Sequence, residues 1–140
     1  MGVEIRRAGP GDEHLFERIA DDVFDYPVDP ETLAAYLATP CHHFVVALAD
    51  GAVVGQVAAV VHRHADERPV ELYVDEVAVA PAFQRRGIAR LMLDEMFELG
   101  RELGCAEAWV GTEGDNRAAT MLYESRGSKP EPFVMYVFAL

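Results

Sequence analysis

The chain has 140 residues, with 24 acidic side chains against 12 basic ones and a net charge of −12. This length predicts one domain over residues 1–140, large enough to bury its own core. The acidic balance argues against nucleic acid as a partner, because phosphate binding needs a basic face. No apolar run of about 18 residues suggests a membrane span, and residues 1–14 lack the apolar core of a signal peptide, so we expect a cytoplasmic location.

The first half of the chain predicts strands and helices in the order β-α-α-β-β. Residues 3–7 alternate as in a short strand, and Asp12 is placed to cap a helix over residues 12–24. Asp29, Pro30 and Glu31 supply a cap, a first-turn proline and an acidic first turn for a second helix. Two apolar runs, residues 43–49 and 52–62, are joined by Asp50-Gly51, which is a strong hairpin signal.

The second half continues as β-α-β-α-β. Residues 72–79 (LYVDEVAV) are rich in β-branched residues and predict a buried strand. Apolar residues at helical spacing then predict a long amphipathic helix from about Arg86 to Gly104. Residues 107–112, 116–126 and 133–138 predict a strand, a helix and a final strand. We therefore expect an α/β (α+β) fold with a mixed, mostly antiparallel sheet flanked by helices.

The loop between that strand and the long helix reads QRRGIA, residues 84–89. First-turn N–H groups of a helix lack intrahelical partners and carry the positive end of its dipole. Gly87 would let an anion approach them closely, and Arg85 and Arg86 add positive charge. These features predict a pyrophosphate site. The simpler alternative is that Gly87 only eases the chain into the helix and both arginines are solvated.

A second block, NRAATMLYESRG at residues 116–127, fits the pattern N-x-x-A-x-x-L-Y-E-x-x-G. Together with the QRRGIA loop, about thirty residues earlier, it resembles the Gcn5-related N-acetyltransferase (GNAT) superfamily. Within that superfamily, AVVGQVAAVV followed by ELYVDEVAV, and the VMYVFAL segment, are most similar to the aminoglycoside 3-N-acetyltransferase group.

The resemblance implies acetyl-CoA as cofactor. It implies that the pantetheine arm pairs with the strand near Val77 like an added strand, and that the loop amides hold the pyrophosphate. Asn116 would bind the pantetheine or phosphate region, and Tyr123 would face the thioester sulfur. The implied cofactor-binding residues are Val77, Ala78, Val79, Gln84, Arg85, Arg86, Gly87, Ile88, Ala89, Asn116, Ala119 and Tyr123.

The catalytic candidates are Tyr123, Glu76 and Asp75. Tyr123 has a phenolic proton to donate as general acid, or it is an aromatic packed on its helix. Asp75 and Glu76 are consecutive in an apolar strand and should point to opposite faces, with at least one lining a cavity. Glu76 is the preferred base or amine anchor. Asp75, Glu71, a water relay, or a salt bridge of Glu76 to an arginine are the alternatives.

The acidic composition favours a cationic acceptor, although solubility alone also explains it. The expected acceptor-binding residues are Asp21, Asp22, Asp25, Tyr26 and Glu76, and solvated helix ends are the alternative. The expected function is acetyl transfer to a small-molecule amine, with an aminoglycoside as candidate. A protein or peptide acceptor and a non-catalytic acetyl-CoA-binding module are the rivals. His62 and His64 share a strand face without an evident third ligand, so we expect no metal. The short segment after Gly127 suggests an exposed edge and a homodimer.

Overall fold

A five-stranded mixed sheet organises residues 2–140, the part of the chain that this computed structural model describes. The strands lie in chain order, and only the last pair is parallel. They are β1 (Glu4–Ala8), β2 (His42–Ala49), β3 (Ala52–His62), β4 (Glu71–Val79) and β5 (Glu107–Val110). The helices are α1 (Pro30–Ala38), α2 (Ile88–Glu102) and α3 (Arg117–Ser125). The predicted fold class is confirmed.

Local signals in the sequence explain several of these boundaries. The Asp29 side chain accepts a hydrogen bond from the Thr32 N–H at 2.9 Å and so caps α1. Asp50 and Gly51 have φ values of 50° and 77°, the positive pair that a tight β2–β3 hairpin turn requires. Within residues 2–140, none of the helices combines the length and the apolar character needed to cross a bilayer. The cytoplasmic location stays a prediction.

The predicted helix over residues 12–24 is wrong. A 3₁₀ turn at Glu13–Phe16 replaces it, and the chain then runs irregularly to α1. The backbone of this segment forms hydrogen bonds with β3 instead of within a helix. The Ala20 N–H donates to the Val53 carbonyl at 2.9 Å, and the Val53 N–H donates to the Arg18 carbonyl at 2.9 Å. Asp12 accepts from the Gly9 N–H instead of capping a helix. The apolar residues of this segment are nevertheless buried or partly buried. The sequence pattern therefore predicted correctly which residues are buried, but it wrongly predicted a helix.

The predicted final strand over residues 133–138 is also wrong. This segment pairs with no strand among the described residues, and its side chains are exposed. Two prolines, Pro130 and Pro132, precede it and lack the N–H groups that a sheet ladder needs. The neighbouring strand β5 is only four residues long and offers a short edge for pairing.

Two apolar clusters cover the two faces of the sheet. On one face α2 contributes Met92 and Met96, both fully buried, against β2, β3 and β4. On the other face α1 and the irregular segment pack against β2 and β3, with Phe44 at the centre of an aromatic group. The first cluster fixes α2 across β2, β3 and β4, which sets the position of the loop between β4 and α2.

Candidate active site

Strands β4 and β5 separate part-way along β4. Their parallel pairing runs from Glu71 opposite Glu107 to Val74 opposite Val110, and β5 ends there. β4 continues to Val79 and stays paired with β3 on its other side. The second half of β4 therefore has a free edge within residues 2–140.

The register determines which backbone groups this free edge presents. The Ala80 N–H donates to the Val54 carbonyl of β3 at 2.8 Å. Because pairing alternates along antiparallel strands, the N–H and C=O groups of Val77 and Val79 point away from β3. Gln84 Nε2 donates to the Val79 carbonyl at 3.0 Å. The Val77 N–H and C=O and the Val79 N–H remain for an extended ligand.

The loop between β4 and α2 presents bare backbone donors. Arg85 and Gly87 have φ values of 64° and 77°, and the N–H groups of residues 85–87 donate to no described residue. The first-turn N–H groups of α2 follow them. A Cβ atom built on Gly87 would meet no atom within 4 Å, so the approach is open. The Arg86 guanidinium carbon lies 5.1 Å from the Phe83 ring centroid, which holds its charge beside the loop.

A bulge in β4 determines where its two carboxylates point. Ala58 pairs with Glu76, whereas the next residue of β3 pairs with Val74, so Asp75 is the additional residue. Val74 lies in the cluster on the α2 face and Ala58 in the cluster on the α1 face. Asp75 and Glu76 consequently both lie on the α1 face, and the prediction that they point to opposite faces is wrong.

The two carboxylates and an α1 tyrosine perturb one another. Burial raises the pKa of Glu76, the Gln56 amide opposes this, and the charges of Asp25 and Asp75 raise it further. Burial also raises the pKa of Asp75. The pKa of Tyr36 is raised by its burial and then by the charges of Asp75 and Glu76, so its phenol stays protonated.

Asp75 and Glu76 are not neutralised by a lysine or an arginine of residues 2–140. No lysine or arginine side chain of residues 2–140 makes a salt bridge with either of them. The α2 face differs, because there Arg7 pairs with Glu95 at 2.6 Å and Arg126 with Asp94 at 3.0 Å. The alternative of a salt bridge between Glu76 and an arginine is therefore wrong.

Two polar side chains near this pair were not recognised as site residues in the sequence. Gln56 is fully buried on β3, where its Nε2 donates to the Val23 carbonyl at 3.3 Å and its Oε1 has no partner among the described residues. His42 stacks on Tyr36 with ring centroids 4.8 Å apart, and its charge lowers the pKa of Asp75 against the effect of burial. Gln56 interrupts the apolar run AVVGQVAAVV, which was an available signal. His42 offered none.

The predicted acceptor residues are only partly brought together. Asp25 and Tyr26 line an open depression of about 320 Å³ formed by residues 19–20 and 24–28. Asp25 is also near enough to Glu76 for its charge to act on that carboxyl group. Asp21 and Asp22 are exposed and lie outside the lining of this depression. The acceptor role of all four residues stays a prediction.

The second sequence block supplies α3. Tyr123 is half-buried and packs on the α2-face cluster that also includes Val77 and Val79, and burial raises the pKa of its phenol. Asn116 caps α3, since its Oδ1 accepts from the Ala119 N–H at 3.1 Å. That bond leaves the Asn116 Nδ2 as the amide donor without a partner among the described residues, so any ligand contact of this side chain would use Nδ2.

A family model described as "Acetyltransferase (GNAT) family" matches residues 13–127. The chain belongs to this family. GNAT enzymes use acetyl-CoA, and two features of the structure fit that molecule: the free edge of β4 suits the extended pantetheine arm, and the bare donors of residues 85–87 suit a diphosphate.

Known relatives differ in the acceptors that their names state. N-alpha-acetyltransferase RimI of Mycobacterium tuberculosis is 35% identical over 105 residues, which cover 75% of this chain and 63% of that protein. The aminoglycoside acetyltransferase HMB0005, from an uncultured soil metagenomic sample, has a TM-score of 0.83 and 21% identity, with 100% of both chains covered. AAC(6')-Iy in complex with the bisubstrate analogue CoA-S-monomethyl-acetylneamine has a TM-score of 0.78 and 19% identity, again with 100% of both chains covered. At these identities the two structures establish the GNAT fold.

The raised pKa of Glu76 gives a first prediction, on stability. A carboxyl group whose folded-state pKa exceeds its ordinary value of 4.5 contributes stability below that value, and loses it as pH rises through the raised pKa. Glutamine does not titrate. The unfolding free energy of Glu76→Gln, relative to wild type, should therefore rise as pH increases above 4.5 in denaturant titrations.

Glu102→Gln is the matched control, with the opposite sign. Its hydrogen bond to Arg7 lowers the pKa of Glu102, so that carboxylate contributes stability above its ordinary pKa and loses it as pH falls. The relative stability of Glu102→Gln should fall toward neutral pH. A flat profile for Glu76→Gln, or one with the slope of the control, would contradict the burial of this carboxyl group.

Proposed function

We propose that this chain transfers acetyl from acetyl-CoA to an amino group of a cationic small molecule, with an aminoglycoside as the leading candidate. The observation that carries the proposal is the pair Asp75 and Glu76, half-exposed carboxylates without a lysine or arginine partner among residues 2–140, next to the free edge of β4. A protonated amine would supply the missing cation. The two structures described above, HMB0005 and AAC(6')-Iy, fit this class by name or by bound analogue.

The donor would lie along β4 and across the loop. Acetyl-CoA supplies an acetyl group on a thioester, which an amine nitrogen accepts as CoA thiol is released. Val77 and Val79 offer backbone groups for its extended arm, and one such N–H can stabilise negative charge developing on the carbonyl oxygen. The N–H groups of residues 85–89 and the start of α2 would hold the diphosphate. Arg85 and Arg86 would add charge, and Asn116 would add its Nδ2 donor.

Amine acetylation needs one group that accepts a proton and one that donates a proton, and the chain offers a candidate for each. An ammonium must lose a proton before it can attack, and Glu76 would anchor the cation and accept that proton, with Asp75 beside it. Tyr123 keeps its phenolic proton at neutral pH, since the ordinary pKa of 10.0 is already well above neutral and burial raises it, and this proton would go to the leaving sulfur. Asp25 extends the negative surface from Glu76 to the depression beside Tyr26, where a polycationic acceptor would rest.

A peptide α-amine is the second candidate acceptor. It is favoured by one observation, the 35% identity to an N-alpha-acetyltransferase over 75% of this chain. A peptide N-terminus is also a cation and would meet the same carboxylates. A non-catalytic acetyl-CoA-binding module is the third reading, and the presence of Tyr123 and Glu76 argues against it.

Turnover on a panel of amines distinguishes these three candidate functions. Thiol release from acetyl-CoA should have its highest kcat/KM with aminoglycosides, lower values with linear polyamines, and the lowest with short peptides that carry a free α-amine. Tyr123→Phe should lower kcat on the order of 10²-fold without weakening CoA binding, because it removes only the proton donor. Tyr73→Phe is the matched control and should keep the wild-type rate, because phenylalanine can keep the stacking of Tyr73 on Trp109, with ring centroids 4.2 Å apart.

The outcomes of this panel are distinct. Preference for the peptide would replace the small-molecule acceptor by the second candidate. CoA binding without turnover on any amine would favour the non-catalytic module. Full activity of Tyr123→Phe at every pH would show that another group protonates the sulfur.

Gly87→Val tests the diphosphate site directly. A β-branched residue is strained at φ 77°, and its side chain would stand over the loop donors. The Kd for CoA should rise at least about tenfold, a loss of about 1.4 kcal/mol, in a calorimetric titration. Gly104→Val is the matched control, since Gly104 has φ 85° and open space at the far end of α2. It should lose similar stability and keep its CoA affinity. Equal CoA affinity in both variants would show that the loop around Gly87 does not bind the diphosphate of CoA.

We also propose that the chain forms a homodimer through residues 133–140. Seven apolar side chains of this segment are exposed, and a contiguous apolar patch commonly marks an interaction site. They are Phe133, Val134, Met135, Tyr136, Val137, Phe138 and Leu140. A second copy that packs its own residues 133–140 against this segment would cover these side chains.

Light scattering after size exclusion tests the dimer. The wild type should elute as a dimer at micromolar concentration, and Val134→Lys with Tyr136→Lys should be monomeric because both charges would be buried in the interface. Ser128→Lys with Glu131→Lys carries the same added lysines outside the apolar segment and should remain dimeric. A monomeric wild type would contradict the proposal.

A further inference from the structure

A cluster of potential metal ligands lies at the opposite end of β4 from the free edge. His62 ends β3, His64 lies two residues into the connecting loop, and Glu71 begins β4. His62 and Glu71 are direct partners in the β3–β4 register. No third ligand for the two histidines is evident in the sequence, because Glu71 reaches them only when the hairpin forms.

The distances within this cluster match a tetrahedral site. His64 Nε2 lies 3.2 Å from Glu71 Oε2, and His62 Nδ1 lies 3.6 Å from the same oxygen. The three ligand atoms all lie within 4.8 Å of one another. A tetrahedral zinc ion with bonds of about 2.0–2.1 Å separates its ligand atoms by about 3.3 Å. The side chains thus already approximate one face of such a tetrahedron.

His64 supplies an independent indication of a ligand. Its side chain is only 10% exposed, and its buried Nε2 makes no hydrogen bond with the described residues, since the contact with Glu71 Oε2 at 3.2 Å lacks hydrogen-bond geometry. A buried imidazole nitrogen with no partner is unfavourable, and a metal ion bound to its lone pair would satisfy it. This nitrogen is the atom that faces the Glu71 carboxylate.

We propose that His62, His64 and Glu71 bind one zinc ion, with water at the fourth position. Two neutral imidazoles and one carboxylate are ordinary zinc ligands, and Glu107, opposite Glu71 on β5, adds negative charge nearby. The site is separate from the acetyl-transfer site, since Glu71 and Val77 are about 20 Å apart along an extended strand. Bound zinc joins both ends of the loop over residues 63–70 and restrains it.

Zinc titration of the chelator-treated full chain tests this site. Calorimetry should show one zinc ion per chain with a micromolar or tighter Kd, and zinc should raise the Tm, because it binds only the folded chain. His64→Gln and Glu71→Gln should each weaken binding at least about tenfold. His62→Gln provides a third variant should either of these fail to fold, which circular dichroism would show.

The control and the contrary results are equally specific. His14→Gln removes an exposed histidine from the 3₁₀ turn and should leave zinc affinity unchanged. Hydrogen exchange should slow in residues 63–70 of the wild type on zinc addition, and not in His64→Gln. Absent or millimolar zinc binding by the wild type, or tight binding that the cluster variants leave intact, would overturn the proposal.

Discussion

The bulge between β3 and β4 is the constraint on which the proposed chemistry depends. A regular strand would alternate its side chains and send one of the two adjacent carboxylates into the apolar cluster under α2. The additional residue, Asp75, keeps Val74 and Val77 on that cluster while both carboxylates turn to the α1 face. An ionised group in the α2 cluster would be costly. The bulge therefore allows an acidic pair in a central strand without disrupting the core.

The same strand serves a second purpose because its parallel neighbour is short. β5 pairs with the first half of β4 only, so the second half has one paired edge and one free edge. The connection through α2 begins directly after β4, which places the helix N-terminus and its unpaired N–H groups next to the free edge. Close packing helps here, since a Cβ on Gly55 would come within 2.8 Å of Met92 Cε. One strand would thus position an extended ligand and its anionic end next to the acidic pair.

Local signals in the sequence predicted most of the helices and strands. They could not predict features that depend on pairing between distant parts of the chain. Asp29 caps a helix through a hydrogen bond three residues away, and Asp50-Gly51 forms a turn through its own dihedral angles. Both effects are local, so the residue types alone indicate a cap and a turn. The segment that includes Ala20 has a helical apolar pattern, but its backbone bonds to Val53, more than thirty residues away. The bulge is likewise a property of two strands together. Periodicity assigned Asp75 and Glu76 to opposite faces because it assumed a regular ladder.

The distribution of charge over the two faces indicates the kind of acceptor more specifically than the total charge does. On the α2 face, carboxylates are neutralised in place, as Glu95 and Glu102 are by Arg7. On the α1 face, Asp75 and Glu76 have no such partner among residues 2–140 and interact unfavourably with each other. Such repulsion persists in a folded protein at a cost to stability. A cationic acceptor would relieve it, and the relief would add to binding energy only at the place where the nitrogen must lose its proton.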